Sequence, residues 1–350
     1  MKVNLISPDL YEIEDFITEE EQKSILDYAK TLDESEWWKD ELLGTFFHGK
    51  QKYGELPEIF DPINKKIKNY PIDLCNYADT LNVFEQNNDI VGIIHFAAFK
   101  AVGESVEHPM MYYENNLISL LNILKCAKAF NVNNFVFSSS CTVYGSPEVI
   151  PVTELTPLKE AESPYGATKQ MGEQIVKDNS AQNFKSILLR YFNPVGAHPS
   201  NHIGELPIGK PQNLIPAITQ TAIGKLPQMT VWGNNYATKD GSCLRDYIHV
   251  CDIAHAHTLA LNYLIQNKNN STCSILNLGS GIGYTVLEVI TMFEKVSGQK
   301  LNYTIGPRRN GDVEAIYANA QKAITELGWQ CKYTLEDMMK TAWDWEKQIS

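Results

Sequence analysis

From Ile90 onward, the chain alternates short apolar runs with longer stretches in which apolar residues recur at helical spacing. Alternating strands and helices are joined by crossover connections, which give a parallel sheet with helices on both faces. The predicted strands are residues 90–96, 135–139 and 186–190, and the predicted helices are residues 164–178 and 115–130, the latter with Leu117, Leu120, Leu121 and Leu124 on one face. The sequence therefore predicts an α/β fold built on a doubly wound parallel sheet.

The pattern changes at two places along the chain. After Tyr191, prolines at positions 194, 199, 207, 211, 216 and 227 interrupt a region with fewer predicted strands. We interpret residues 191–350 as a smaller domain that lies over the sheet. Near residue 70 an acidic and aromatic stretch ends, so we predict that residues 1–70 form a separate segment and residues 71–190 the main part of the sheet domain.

Composition narrows the classes of partner. The chain has 350 residues and a formal net charge of -12, so nucleic acid and anionic membranes are not expected to bind it. No apolar run approaches the roughly 18 residues of a membrane span, and the first residues lack the apolar core of a secretory signal. The seven cysteines form no Cys-x-x-Cys pair, which favours reduced thiols in a cytoplasmic protein.

A catalytic constellation lies in the middle of the chain. Tyr165 and Lys169 are four residues apart on a predicted helix and so share one of its faces. The lysine ammonium favours the phenolate form of the tyrosine and makes it a better base at neutral pH. Ser140 ends a predicted strand 25 residues before Tyr165, at the edge of a parallel sheet where ligands bind. Each motif alone is weak, but together they favour oxidation of a hydroxyl group with transfer of hydride to NAD.

Longer motifs surround this constellation. They are FAAFKAVGESV at 96–106, YYENN at 112–116, RYFNPVGAHPS at 190–200, LRDYIHV at 244–250 and PRRNGD at 307–312. Over about residues 71–347, nearly four fifths of the chain, the sequence resembles the UDP-glucose 4-epimerases of the extended short-chain dehydrogenase/reductase family. The resemblance implies a Rossmann-like NAD-binding domain, with an atypical N-terminal unit in this chain, and a C-terminal domain for the UDP-sugar.

The resemblance also implies a reaction. Tyr165 would take the proton of the sugar 4-hydroxyl, Lys169 would tune that tyrosine and hold the nicotinamide ribose, and Ser140 would bridge the sugar oxygen and Tyr165. UDP-glucose and UDP-galactose would interconvert through a 4-keto intermediate with tightly bound NAD. Two such chains would pair as a homodimer through the helices that contain Asn115 and Pro164.

Further site residues follow from the same resemblance. The implied cofactor-binding residues are Asp73, Leu74, Phe96, Ala97, Ala98, Lys100, Asn115, Ser140, Tyr165, Lys169 and Phe192. The implied substrate-binding residues are Ser140, Asn193, Asn213, Leu214, Thr230, Val231, Trp232, Arg245, Arg309 and Asp312. Arg245 and Arg309 would bind the diphosphate, because a guanidinium group matches phosphate oxygens. We expect no metal site.

Two positions refine the implied chemistry. Sugar-nucleotide 4,6-dehydratases place an acidic pair just after the strand-ending serine or threonine, where this chain has Cys141 and Thr142. Neither residue supplies the acid and base for elimination, so epimerisation fits better. Ile316 occupies the position that limits the N-acyl side of the sugar, and its branched side chain predicts poor turnover of N-acetylated sugars.

The N-terminal segment departs from the family pattern. Residues 1–70 contain only Gly44, Gly49 and Gly54, whose spacing does not match the Gly-x-x-Gly-x-x-Gly turn that receives a pyrophosphate at a helix N-terminus. Residues 3–6 could form a strand, and a Thr18-x-x-Glu21 capping box predicts a helix after it. The stretch at 11–21 resembles, less closely, the start of prolyl-hydroxylase-like 2-oxoglutarate oxygenases. It has no His-x-Asp pair, so no iron is expected there.

Three hypotheses about activity remain open from the sequence. The chain is an active epimerase whose unusual N-terminus still admits NAD, a catalytically impaired member that binds a sugar nucleotide, or a fused or truncated epimerase reading frame. The extent of the resemblance favours UDP-glucose 4-epimerase as the encoded function.

Overall fold

The computed structural model describes the backbone of residues 2–7 and 10–14, and residues 68–207, 209, 211–309 and 312–350. In chain order, the strands are β1 (Lys2–Ser7), β2 (Leu10–Glu14), β3 (Ile93–His95), β4 (Asn134–Ser140), β5 (Lys185–Tyr191), β6 (Asn193–Val195), β7 (Met229–Trp232), β8 (Leu244–His249), β9 (Cys273–Leu278), β10 (Gly283–Thr285), β11 (Tyr303–Gly306) and β12 (Ala315–Ile316). The helices are α1 (Tyr77–Gln86), α2 (Val102–Glu107), α3 (Pro109–Ala129), α4 (Pro164–Asn179), α5 (Leu214–Ala222), α6 (Val250–Ile265), α7 (Val286–Ser297), α8 (Gln321–Leu327) and α9 (Leu335–Gln348).

The main sheet positions the candidate site. Its strand order is β3-β4-β5-β9, and every pair is parallel, as the alternation of strands and helices predicted. Ser140 at the end of β4 pairs with Tyr191 at the end of β5, which in turn pairs with Leu278 of β9. The carboxyl ends of these three strands therefore lie side by side at one edge of the sheet.

One of the two central helices begins where the sequence predicts. Pro164 is the first residue of α4, and the Ser163 side chain caps the helix by accepting a hydrogen bond from the Gly166 backbone. Helix α3 starts six residues earlier than predicted, at Pro109. The predicted apolar face of α3 is wrong at one position, because Leu121 is exposed whereas Leu120 and Leu124 are buried. The buried face of the helix includes small and polar residues such as Asn122 rather than Leu121.

The C-terminal region forms two smaller sheets. Strand β8 pairs with β6 and β12 in parallel and with β10 in antiparallel orientation, and β7 pairs with β11. Helices α5, α7 and α9 pack with these strands around an apolar cluster that includes Ile218, Phe293 and Met339. The division of the chain at residue 191 stays a prediction. Among the helices the structure describes, none is long and apolar enough to cross a bilayer.

The first two strands form an antiparallel hairpin that pairs only within itself in the described sheets. The strand expected at residues 3–6 lies within β1 and is confirmed. Only two residues separate β1 from β2, so β1 is not followed by a helix. The capping box at Thr18 and its helix lie outside the described residues, as do Gly44, Gly49 and Gly54.

Candidate active site

The structure brings Ser140, Tyr165 and Lys169 together at the carboxyl edge of the main sheet. Tyr165 and Lys169 lie one turn apart on α4, and the Lys169 Nζ lies 5.9 Å from the centre of the Tyr165 ring. The Lys169 ammonium donates a 2.7 Å hydrogen bond to the backbone oxygen of Ser138. The Ser140 hydroxyl accepts a hydrogen bond from the Thr142 backbone at 3.3 Å and also interacts with the Tyr165 hydroxyl. All three side chains are buried.

Burial shapes the electrostatics of this trio. It lowers the pKa of Lys169 to about 8, and the nearby carboxylate of Glu173 opposes this effect. Burial also raises the pKa of Tyr165 well above its usual range, against the hydrogen bond from Ser140. In the protein alone, Tyr165 is therefore a neutral phenol. Additional positive charge at the ring is needed before Tyr165 can act as a base near neutral pH.

A buried ion pair that sequence reasoning missed lies beneath the trio. Glu173 accepts hydrogen bonds from the Nε and Nη2 atoms of Arg190 at 2.7 and 2.6 Å and from the Ser139 hydroxyl at 2.6 Å. The Arg190 guanidinium also lies over the Tyr144 ring, 4.9 Å from its centre. One signal was available in the sequence, because Glu173 follows Lys169 at the same four-residue spacing by which Lys169 follows Tyr165.

The loop after β3 contains the predicted cofactor residues Phe96, Ala97, Ala98 and Lys100. It is fixed by Asn116, which accepts a hydrogen bond from the Phe99 backbone at 2.7 Å, donates to the Phe99 oxygen, and donates to the Thr168 hydroxyl on α4 at 3.0 Å. This contact ties the loop directly to the helix that carries Tyr165. Asn115 lies beside Asn116 and donates to its side-chain oxygen at 3.1 Å.

Asp73 and Leu74 precede α1 and are attached to α3. The Asn122 amide donates to the backbone oxygens of Leu74 and Cys75 at 2.9 and 3.1 Å, and the Asp73 carboxylate accepts a hydrogen bond from the Cys75 backbone. This predicted cofactor-binding segment is thus held by the same helix that holds the loop after β3.

A predicted cofactor residue, Phe192, and several predicted substrate residues approach the same edge. Phe192 is buried directly after β5, and Asn193 begins β6 with a buried side-chain oxygen that has no hydrogen-bond partner. Asn213, just before α5, donates to Glu205 at 2.7 Å, and Lys100 forms a 3.4 Å ion pair with the same carboxylate. Glu205 therefore links a predicted cofactor residue to a predicted substrate residue. Sequence reasoning missed Glu205, which lies in an irregular loop with no motif spacing.

A second group of predicted substrate residues lies farther along the C-terminal region. Arg309 forms a two-point ion pair with Asp312 at 3.0 and 3.1 Å, and its guanidinium lies 6.0 Å from the centre of the Trp232 ring. Trp232 ends β7, which also contains Thr230 and Val231. Leu214, next to Asn213, is the first residue of α5. The structure thus brings a guanidinium, a carboxylate and an indole ring together at one end of β7.

Arg245 and Ile316 face each other across paired strands. Arg245 is on β8, and its Nη1 donates to the backbone oxygens of Leu244 and Glu314. Ile316 is buried in an apolar cluster with Tyr144 and Phe192. Its effect on N-acetylated sugars stays a prediction.

Comparison with known proteins identifies the family. A family model described as GDP-mannose 4,6 dehydratase matches residues 48–342. The UDP-glucose 4-epimerase of Bacillus subtilis is 48% identical over 293 residues, which cover 83% of this chain and 85% of the relative. The Arabidopsis thaliana bifunctional UDP-glucose 4-epimerase and UDP-xylose 4-epimerase 3 is 48% identical over 275 residues, or 78% of either chain. This chain belongs to the UDP-glucose 4-epimerase family.

A solved structure of a family member agrees with the fold. The Bifidobacterium longum UDP-glucose 4-epimerase, in complex with NAD+ and UDP, matches with a TM-score of 0.78 and 44% identity over 83% of this chain and 86% of that one. The name of the matching family model refers to a dehydratase, whereas these relatives are epimerases. Cys141 and Thr142 are not acidic, and so neither supplies the acid and base that elimination requires.

The residues present fit one end of an NAD molecule. An ammonium carries three donors, and Lys169 directs one to Ser138, so further donors are available for ribose hydroxyls. The buried, unpartnered oxygen of Asn193 adds an acceptor at the same edge. The pyrophosphate end is different. Strand β1 pairs with β2, which begins three residues after β1 ends, so among the described residues no helix N-terminus follows β1 directly to receive phosphate charge.

Proposed function

We propose that this chain is a UDP-glucose 4-epimerase that uses NAD. The observation that carries the proposal is the buried Ser140–Tyr165–Lys169 constellation at the carboxyl edge of a parallel sheet, in a chain nearly half identical to such epimerases over most of its length. The substrate class is a UDP-hexose, and the product is the same sugar with inverted configuration at C4.

The chain's own residues supply binding and proton transfer. When bound, NAD would accept a hydride from the sugar C4 carbon and later give it back. Tyr165 takes the proton of the 4-hydroxyl as the C4 carbonyl forms, and it returns that proton to the same oxygen after the 4-keto sugar has rotated. The configuration is inverted because the hydride would return to the opposite face of C4. Ser140 holds the sugar oxygen in line with the Tyr165 hydroxyl. The Lys169 ammonium, 5.9 Å from the ring centre, and the positive charge that a bound nicotinamide ring would add both favour the phenolate against the effect of burial on Tyr165.

The remaining predicted residues receive roles by position. The residues that line the cofactor are Asp73, Leu74, residues 96–98, Lys100, Asn115 and Phe192. The residues that line the UDP-sugar are Asn193, Asn213, Leu214, residues 230–232, Arg245, Arg309 and Asp312. Arg309 binds a diphosphate oxygen, Trp232 packs against the uracil, and Asp312 accepts from the ribose. The proposal divides the chain into an N-terminal segment to residue 70, a cofactor domain to residue 190 and a substrate domain beyond it.

Exposed apolar side chains on α3 and α4 support a homodimer. Ile118 and Leu121 on α3 and Met171 on α4 are each about two fifths exposed. Both helices come from the part of the chain expected to pair, and a second copy would remove these side chains from water. We further propose a cytoplasmic location, which suits seven cysteines none of which forms a disulfide in the part of the chain that the structure describes.

The test measures cofactor and turnover together. The purified chain is denatured and released NAD is quantified, and conversion of UDP-galactose to UDP-glucose is followed in native protein with and without added NAD. Tyr165→Phe is the matched variant, since it removes one hydroxyl group. Turnover lost in Tyr165→Phe, with UDP binding kept, supports the proposal. Wild-type protein that binds UDP but never epimerises, even with excess NAD, overturns it and leaves a sugar-nucleotide-binding protein.

A further inference from the structure

Glu173 has an unusual number of buried partners for a residue outside the catalytic trio. It lies on α4, one turn after Lys169, and its side chain is fully buried. Oε1 accepts from the Ser139 hydroxyl and from Arg190 Nε, and Oε2 accepts from Arg190 Nη2 and, at 3.2 Å, from Lys177. A buried carboxylate persists only when such donors compensate for its lost hydration.

The partners belong to different parts of the site. Ser139 directly precedes Ser140 on β4, and Arg190 on β5 is its neighbour in the sheet register. Glu173 therefore binds the catalytic helix to both strands whose ends form the site. A displacement of α4 by about one ångström would misalign Tyr165 and Ser140, and errors of that size can lower a rate by about 100-fold.

We propose that Glu173 is a positioning residue for the reaction. Its carboxylate fixes α4 on the strand that carries Ser140, and it places a negative charge one turn from the Lys169 ammonium. This inference rests on the proposed epimerase function and adds a residue to it.

The surroundings of Lys169 explain why that charge matters. Burial lowers the pKa of Lys169 to about 8, and Glu173 acts in the opposite direction. On β3, His95 is neutral, because burial lowers its pKa to about 3. Strand β4 contributes the Phe137 ring and the Ser138 backbone oxygen, neither of which titrates. On β5, the Arg190 cation is neutralised by Glu173 itself, so loss of the carboxylate removes an anion and exposes a cation.

Three substitutions separate charge from geometry. Glu173→Gln keeps the shape of the side chain and loses its charge, so the pKa of Lys169 should fall further. The alkaline limb of the pH profile of kcat should therefore move about one pH unit lower, while KM for UDP-galactose stays unchanged. Glu173→Asp keeps the charge but shortens the side chain, so kcat should fall about tenfold at every pH with no shift of the limb. Ser139→Ala removes one contact and should behave like a milder Glu173→Asp. Asp178→Asn is the control, because this exposed carboxylate on the same helix contacts Gln174 rather than Glu173, and it should leave the profile unchanged.

A second readout does not depend on turnover. The side chain of Lys169 is titrated by NMR with 13Cε-labelled lysine, and its signal is assigned with Lys169→Met. A lower midpoint in Glu173→Gln than in wild type, together with the profile shift, supports the proposal. Equal midpoints, or a kcat loss that is the same for Gln and Asp at every pH, overturn it.

The two proposals fail differently. If wild-type protein does not epimerise, the proposed function is lost, whereas the NMR midpoints still test the effect of Glu173 on Lys169. If Glu173→Gln does not fold, the activities and lysine midpoints of Glu173→Asp and Ser139→Ala decide the question. Wild-type kcat in both of these variants then overturns the positioning role.

Discussion

Gly172 of α4 lies so close to Phe137 of β4 that no side chain fits between them. A Cβ atom at Gly172 would be 2.7 Å from the Phe137 Cζ and 3.4 Å from a methyl group of Leu120. The glycine lets the catalytic helix approach the sheet, and that approach allows Lys169 to reach the Ser138 oxygen. The position thus links packing to the geometry of the candidate site.

Substituting this glycine should therefore damage both stability and activity. We expect Gly172→Ala to lower the free energy of unfolding by about 1–3 kcal/mol through overpacking. Gly103→Ala is the matched control, because Gly103 is also helical and a Cβ there would meet nothing within 4 Å. The control should be neutral or gain up to about 1 kcal/mol from helix propensity. Urea denaturation measures both, and equal losses in the two variants would refute the packing argument.

Neighbouring arginines give a test of nucleotide binding. Arg309 lies near Trp232 and Asp312, whereas Arg308 is engaged with Asn235 and the Tyr236 ring, 4.0 Å from its centre. Loss of a charge-assisted contact to phosphate corresponds to about 1.5–3 kcal/mol, so Arg309→Met should weaken UDP binding about 10- to 100-fold. Arg308→Met should change the affinity little. Calorimetric titration with UDP measures both, and the reverse ranking would place the diphosphate elsewhere.

Buried histidines predict acid sensitivity. Burial lowers the pKa of His257 to about 4, while its unfolded value is 6.5. Between these values the unfolded chain binds a proton that the folded chain does not, so stability falls as pH decreases from about 6.5 to 4. The contribution of His257 approaches about 3 kcal/mol at the acid end, because each pKa unit corresponds to about 1.4 kcal/mol.

His257→Phe should remove this part of the pH dependence. The ring would keep its packing against Phe96, whose centre lies 4.3 Å from that of His257. Chemical denaturation at pH 8, 6.5, 5 and 4 should give a shallower loss of stability in the variant than in wild type. Parallel curves would show that His257 titrates similarly in both states.

The exposed apolar side chains on α3 and α4 predict the oligomeric state. Leu121 is 39% exposed on α3, and Leu121→Glu should place a charge in the proposed interface and yield monomers. Leu155 is 92% exposed in the loop before α4, so Leu155→Glu provides a control with the same change in charge and size. Light scattering after size-exclusion chromatography distinguishes the outcomes. A dimer that survives Leu121→Glu would move the interface to another face.

Local spacing was sufficient for much of the fold. Each end of strands β4 and β5 and of helix α4 lies within one residue of its predicted position. These bounds were predictable because the apolar runs of the strands and the Ser163–Pro164 start of the helix are local signals in the sequence. Leu121 was misplaced because periodicity shows which residues share a face but not how wide the covered stripe is. Asn122 is buried instead, because its amide binds the segment at Leu74, a contact across 48 residues of chain.

The sequence by itself determined the family, the parallel sheet and the members of the candidate catalytic trio, since each depends on motifs or on a four-residue spacing within one helix. Only the tertiary structure decided which groups surround that trio. The contacts of Glu173 with Arg190, and of Glu205 with Lys100 and Asn213, depend on which strands and loops become neighbours. Crossover connections set those neighbours, and no local pattern encodes them. The same holds for the N-terminus, where the sequence indicated that a glycine-rich turn is missing and the backbone showed that the first strand pairs with a second, antiparallel strand.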